Sequence, residues 1–137
     1  MNRVLIDTDI LSYYFKGDKL VVENFEKYIK SYELIEISVI TCYEIIGGLL
    51  ANNALKQLRV FEDFLAENVV VSMTDKSVKI SAELYSSLRR SGNIVDDIDL
   101  LIAGIALEND MALATNNESH FGRISGLRIE HWKKQQI

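Results

Sequence analysis

Proline is absent from this 137-residue chain, cysteine occurs once and histidine twice. Without proline, and without a repeat, a low-complexity stretch or a linker, no composition shift marks a boundary. One domain over residues 1–137 is expected, large enough for a single core. Cys42 alone cannot close an internal disulfide, and two distant histidines make no zinc pattern. A reducing, cytoplasmic setting is expected. No apolar run approaches the roughly 20 residues that span a bilayer. Asp7 and Asp9 interrupt the only early apolar stretch, so neither a membrane span nor a signal peptide is expected. A basic excess is also missing: 15 Lys and Arg against 20 Asp and Glu leave a net charge of −5. That excludes a broad nucleic-acid surface of the kind found at pI above about 9. It does not exclude a metal-dependent nuclease, whose acids sit beneath an ion while a local patch such as Arg89-Arg90 or Lys133-Lys134 holds a backbone. Hydrophobic residues at 48% and charged residues at 26% are those of an ordinary globular chain.

What is present is an alternation of short apolar runs with amphipathic segments. Residues 2–6 read as a buried strand and 9–16 as a helix with Ile10, Leu11, Tyr14 and Phe15 on one face. Residues 20–30 form a second helix, 34–39 a second strand, 40–51 a third helix and 54–68 a fourth. Val69-Val70-Val71-Ser72 is a third strand. Thr74 caps a long helix that stops at Ser91-Gly92. Asp96 caps a helix running to Asn109, residues 111–115 form a fourth strand, and 127–131 a possible fifth. This order predicts an α/β fold, a three-layer sandwich with a mainly parallel sheet of four to five strands flanked by helices.

Polar clusters stand at the ends of these apolar runs. Asp7-Thr8-Asp9 follows the first strand, and Glu44 lies one turn into the helix after the second. Asp96-Asp97-Ile98-Asp99 opens the penultimate long helix, and Thr115-Asn116-Asn117 closes the fourth strand. In a parallel sheet the carboxyl ends of the strands share one rim, where ligands bind. Carboxylates gathered there repel one another unless a cation lies between them. The pattern points to a hard divalent metal and, through it, to phosphate chemistry. Each cluster also has a plain structural reading. Asp7 or Asp9 can serve as the cap of helix 9–16, with Asp9 the better placed. Glu44 can be a solvated helix residue, on a helix whose apolar face is read as Ile40, Tyr43, Ile46, Gly47 and Leu50. Gly47-Gly48 in mid-helix costs about 1 kcal/mol per glycine, which close packing of a neighbour would explain. Acids at 96–99 favour a helix N-terminus, although three in four residues exceed what capping needs. Asp99 shares a stripe with Ile102, Ala103 and Ala106, whereas Asp97 points elsewhere. Thr115 to Asn117 can be a simple turn. Cys42 reads as a small buried residue, Trp132 as core closure or a partner contact, and neither His120 nor His131 has a partner pattern.

Taken together, these residues resemble the PIN domain, and specifically the VapC-type endoribonuclease toxins of toxin–antitoxin pairs. The resemblance is carried by Leu5 to Ser12, by Ile37 to Gly48, by Val95 to Ala103, and by Thr115-Asn116-Asn117 through His120-Phe121 and Gly126-Leu127. It implies that Asp7, Glu44 and Asp99 are the core catalytic acids and the metal ligands, with Asp97 a further catalytic residue beside them. It implies Mg²⁺ or Mn²⁺ as cofactor, an RNA substrate, a homodimer, and an antitoxin protein whose tail enters the acidic groove. Two positions depart from the pattern. Asp9 stands where the family often has Asn, and Asn117 where many members have a fourth acid.

The expected chemistry is hydrolysis of RNA phosphodiester bonds on one or two ions held by Asp7, Glu44 and Asp99. Asp97 or Asp9 serves the attacking water, Thr115 and Asn117 orient it, and Arg89 or Arg90 steadies the RNA backbone. Asp7-Thr8-Asp9 after a strand also matches the nucleophile and acid of haloacid-dehalogenase-like phosphatases. That family needs a longer chain, a motif lysine and a later Gly-Asp pair, none of which is evident. A receiver domain would need an aspartate after the third strand, where Val71-Ser72-Met73 supplies none. The remaining alternative is a catalytically silent binding module of the same fold.

Overall fold

Val4-Leu5-Ile6 is apolar at every position because the strand it forms, β1 (Val4–Ile6), is covered on both sides. In the computed structural model, which describes residues 2–134, β1 is the middle of a five-stranded sheet. The chain continues through α1 (Thr8–Phe15), α2 (Lys19–Tyr32), β2 (Glu36–Ser38), α3 (Val39–Ala51), α4 (Leu55–Glu67) and β3 (Val69–Val71). It then runs through α5 (Asp75–Arg90), α6 (Asp97–Glu108), β4 (Ala112–Ala114), α7 (Glu118–Phe121) and β5 (Ile129–Glu130). Strand order is β3-β2-β1-β4-β5 and every pairing is parallel. β2 and β3 build outward on one side of β1, and the chain then crosses to place β4 on the other. The carboxyl ends of β1 and β4 therefore flank the switch in winding direction, where such sheets bind ligands.

Alternation along the strands sorts the core into two layers. Val4 and Ile6 of β1, with Ala112 and Ala114 of β4, face a cluster containing Ile10, Leu11, Phe25, Tyr28 and Trp132. Leu5 and Leu113 face the opposite cluster with Leu88, Ile102, Ile105 and Phe121. That is the period of two expected of strands with helices on both faces. Trp132 is 2% exposed and packs edge-on against Phe25, so it closes the core.

The predicted order of elements up to β4 holds, and the fifth strand exists, but several boundaries move. The strands are shorter than expected, and α3 begins at Val39, with the Ser38 hydroxyl accepting from the Thr41 amide as its cap. Thr74 caps α5 in a reciprocal arrangement with Ser77. The expectation that Asp9 caps the first helix is corrected: Asp7 is the cap and the helix starts at Thr8. The face assigned to α3 holds at Ile40, which is buried, and at Ile46, which packs against the core, and is corrected at its other positions. Tyr43 and Leu50 are 70% and 55% exposed, while Thr41 and Cys42 are buried and Ile45 and Leu49 pack against the core. α7 was not anticipated.

Close packing falls at a glycine other than those expected. A Cβ on Gly47 or Gly48 would meet nothing within 4 Å, whereas one on Gly104 would lie 2.0 Å from Ser81 Oγ and 2.6 Å from the Ser77 carbonyl oxygen. The α5–α6 contact is tight because Gly104 has no side chain, and the Ser81 hydroxyl donates to the Leu100 carbonyl across it at 2.7 Å. Gly104→Ala is therefore expected to destabilise the fold by about 1–3 kcal/mol. Gly47→Ala is expected to stabilise it by about 0.5–1 kcal/mol through helix propensity alone. Urea midpoints of the two variants check the contrast.

Candidate active site

Asp7 is the last residue tied to the sheet and the first to leave it. Its amide still donates to the Ala114 carbonyl at 2.9 Å, and its extended backbone then turns into α1. Oδ1 accepts from the Thr8 amide at 2.9 Å, and Oδ2 from the Thr115 hydroxyl at the end of β4, at 2.7 Å. The carboxyl group is 5% exposed. Burial, and then the charge of Asp9, push it well above the ordinary carboxylate range, to about 7, and Asp99 adds to the same effect. Thr115 is itself held, because its hydroxyl accepts from the Asn117 amide at 3.0 Å while donating to Asp7.

Asp9 joins α1 to the loop after β4. Its Oδ1 accepts from the Ile10 amide at 2.7 Å and its Oδ2 from the Asn116 amide at 3.0 Å. Burial raises its carboxyl, the two amides act against that, and the charge of Asp99 raises it further.

Glu44 reaches the same end of the sheet from α3 and is held by a file of hydroxyls. Thr8 Oγ1 lies 2.6 Å from Glu44 Oε1 and 3.1 Å from Thr41 Oγ1, which lies 3.3 Å from Ser38 Oγ. A hydroxyl has one proton, and the carboxylate takes that of Thr8. The Thr41 proton then points to Thr8 and that of Ser38 to Thr41. Thr8 is thus the residue that orients Glu44.

Asp99 sits in the first turn of α6, its side chain 17% exposed. Its Oδ2 is 2.8 Å from His120 Nδ1 and accepts from Asn117 Nδ2 at 3.4 Å. His120 was given no role from the sequence, yet α7 places it against one of the predicted acids. The signal was there: His120 falls one turn after Asn117, immediately beyond the rim of β4. Asp97 is exposed and stands apart, in a shallow hollow it shares with Arg89, Asn93 and Ile94. Asp96 occupies the cap position of α6 without a side-chain capping bond. Arg89 and Arg90 close α5, both exposed, the Arg89 guanidinium 5.0 Å above the Tyr85 ring. Lys133 pairs with Asp18 and Lys134 with Glu118, so that candidate patch is already neutralised.

Among the described residues no lysine or arginine pairs with Asp7, Asp9, Glu44 or Asp99. The donors are hard oxygens, and the charge of Asp9 against the buried Asp7, with that of Asp99 against both, is the condition a divalent cation relieves. In chemistry the set fits Mg²⁺ or Mn²⁺. In geometry it is open: among the described residues no three carboxylate, imidazole or thiolate side chains close on one point. The acids are instead oriented singly, by Thr115, Thr8 and His120. Asp7, Asp9, Thr115, Asn117 and Asp99 are linked through the β1 and β4 ends, and Glu44 joins through Thr8, whereas among the described residues no hydrogen bond ties Asp97, Arg89 or Arg90 to them.

The sequence profile of the PIN domain matches residues 4–127. The chain belongs to the PIN-domain family. It is 31% identical over 132 residues to ribonuclease VapC2 of Rickettsia felis, covering 95% of this chain and 98% of that one. It is 28% identical over 133 residues to the tRNA(fMet)-specific endonuclease VapC of Shigella flexneri, covering 96% and 99%. Its fold superposes on the crystal structure of the Rickettsia felis VapBC2 complex bound to a promoter DNA fragment with a TM-score of 0.84. That match is 28% identical and covers 93% of this chain and 96% of that one.

The burial of Asp7 has a signed consequence for stability. Its folded pKa of about 7 lies above the value of about 3.9 for an unfolded chain. The contribution is therefore fully present below about pH 4 and is lost as pH rises through about 7. With a chelator present, the unfolding temperature is expected to fall across that window. Asp7→Asn, which keeps the cap, should flatten the profile and be the more stable form at pH 8.

Proposed function

We propose that this chain is a divalent-metal-dependent endoribonuclease that hydrolyses RNA phosphodiester bonds and is silenced by a partner antitoxin. The observation that carries the reading is Asp7: a buried carboxyl at the crossover of a parallel sheet, crowded by acids and unpaired with any base. Asp7, Glu44 and Asp99 would hold Mg²⁺ or Mn²⁺, which when bound supplies Lewis-acid activation of a water and of the scissile phosphate. Thr8 and Thr115 keep Glu44 and Asp7 turned toward the rim. Asp9 accepts the proton of the attacking water, while Thr115, whose hydroxyl is committed to Asp7 and to the Asn117 amide, and Asn117, whose Nδ2 faces Asp99, act on the carboxylates rather than on that water. Arg89 and Arg90 hold the RNA backbone from the end of α5.

The relatives named as ribonucleases, one of them specific for a transfer RNA, support RNA as the substrate class. The VapBC complex supports the partner, and exposed apolar side chains such as Tyr43, Leu50 and Leu55 support association, including a homodimer. An apolar groove of about 650 Å³ between α1, α3 and α4, with Phe15, Ile45, Leu49, Val60, Phe61 and Lys56 among its lining residues, is suited to a partner segment. Among the described residues no helix is long and apolar enough to cross a membrane.

A labelled RNA incubated with the purified chain tests the reading. Cleavage in Mg²⁺ or Mn²⁺ should disappear with EDTA, and Asp7→Asn or Glu44→Gln should each lower the rate by about 100-fold or more. Cleavage that survives both the chelator and Asp7→Asn would refute it. Absence of cleavage together with absence of Mn²⁺-dependent stabilisation would favour a silent binding module. Sequencing of RNA ends after induced expression identifies the substrate.

A further inference from the structure

We propose that His120, working with Asn117, is a positioning residue that ties down one oxygen of Asp99 and leaves the other for a single divalent ion per chain. The inference rests on the metal-dependent reading above and concerns this chain's departure from a fourth acid. Its basis is the direction of three hydrogen bonds. The Asn117 amide turns its Nδ2 to Asp99 Oδ2 at 3.4 Å, the orientation an acceptor-only carboxylate requires, and its Oδ1 accepts from the Ser119 hydroxyl at 3.1 Å. His120 Nδ1 lies 2.8 Å from Asp99 Oδ2, and a nitrogen that close to a carboxylate oxygen carries a proton. The 3.1 Å approach of Asn117 Nδ2 to His120 Nδ1 then sets two donors side by side, because neither can accept from the other. Both converge on Oδ2.

An oxygen that receives two N–H groups has its lone pairs directed at them and offers little to a cation. Oδ1 of Asp99 is the oxygen left to ligate. Around Oδ2 this chain presents the positive ends of an amide and an imidazole, so Asp99 cannot bridge two ions through both of its oxygens. The arrangement therefore provides for one ion, with Asp99 pinned by a neighbour in the way that outer hydrogen bonds orient metal ligands. His120 does this from a half-buried place in the turn: its side chain is 41% exposed and is no part of the core.

Titration of the metal-free chain with Mn²⁺, followed by electron paramagnetic resonance of the free ion, gives stoichiometry and affinity without reference to catalysis. The wild-type chain is expected to bind one Mn²⁺. His120→Ala is expected to weaken binding about 10- to 100-fold, and His120→Asn, whose amide nitrogen can stand where Nδ1 stands, to remain within about threefold of wild type. His120→Gln, which fills the volume but carries its nitrogen one bond further, serves if the alanine variant does not fold, and is expected to weaken binding as alanine does. Unfolding temperatures of the metal-free variants should match wild type. Two ions of similar affinity in the wild type, an alanine variant that binds as wild type does, or an asparagine variant as weak as the alanine one would each overturn the proposal. A wild-type chain that binds no Mn²⁺ at all would instead bring down the metal-dependent reading, and this inference with it.

Discussion

Asp7 occupies a position that satisfies its hydrogen bonds and frustrates its charge. It ends the central strand, caps the following helix and accepts a hydroxyl from the neighbouring strand, so both carboxylate oxygens are engaged. Those bonds favour the ionised form, yet burial and the nearby charges of Asp9 and Asp99 outweigh them and push the carboxyl upward. An internal lysine or arginine would remove the conflict, and among the described residues the site contains none. The surroundings stay in place because they are built from backbone amides and short hydroxyls that belong to the strand ends themselves. What the site lacks is positive charge, supplied by a proton when the pH is low and, on the reading proposed here, by a metal ion when one is present.

The polar frame around the acids explains why they can be crowded without being disordered. Each is held by a partner that arises from a local rule of chain geometry. Ser38 caps α3 and passes its orientation through Thr41 and Thr8 to Glu44. The Asn117 amide turns back onto Thr115, which fixes the proton that Thr115 gives to Asp7. The Asn116 amide fixes Asp9. Long charged side chains would lose more rotamer freedom in such an arrangement than threonine and serine do. Short hydroxyls also leave room in front of the carboxylates. The same economy bears on Asp99, whose partners are His120 of a single four-residue helical turn just past β4 and Asn117, the residue that precedes that turn.

Much of this could be read from the sequence, and the parts that could not share a cause. β1 and β4 were legible because short apolar runs bounded by polar residues have few alternatives, and the acids at their ends were legible because a parallel sheet gathers its carboxyl ends. Asp99 was legible from the small residues beneath it. The buried face of α3 was not, since Val39 to Ala51 is apolar on almost every side and periodicity carries no contrast there; only the position of the sheet decides that Thr41 goes in and Tyr43 stays out. Gly47 and Gly104 look alike in sequence, and only the approach of Ser77 and Ser81 distinguishes them. The choice between Asp7 and Asp9 as cap turned on where the strand ended, a difference of one residue. His120 was missed because its partner lies 21 positions away and the turn that carries it is too short to show a period.

An acidic protein that acts on a polyanion must change sign locally before the two can meet. With −5 overall and four acids at the rim that no lysine or arginine pairs among the described residues, the site by itself repels a phosphate. On the reading proposed above, a divalent ion would reverse that over a few ångströms, and Arg89 and Arg90, at the end of α5, would hold a backbone without neutralising the acids. The requirement has a second solution. A guanidinium or ammonium group from another protein would meet the same carboxylates, relieve the same repulsion at Asp7, and leave no coordination site behind. On that same reading, ion and basic partner segment therefore draw on one electrostatic deficit, and activation and silencing become alternative ways of filling it.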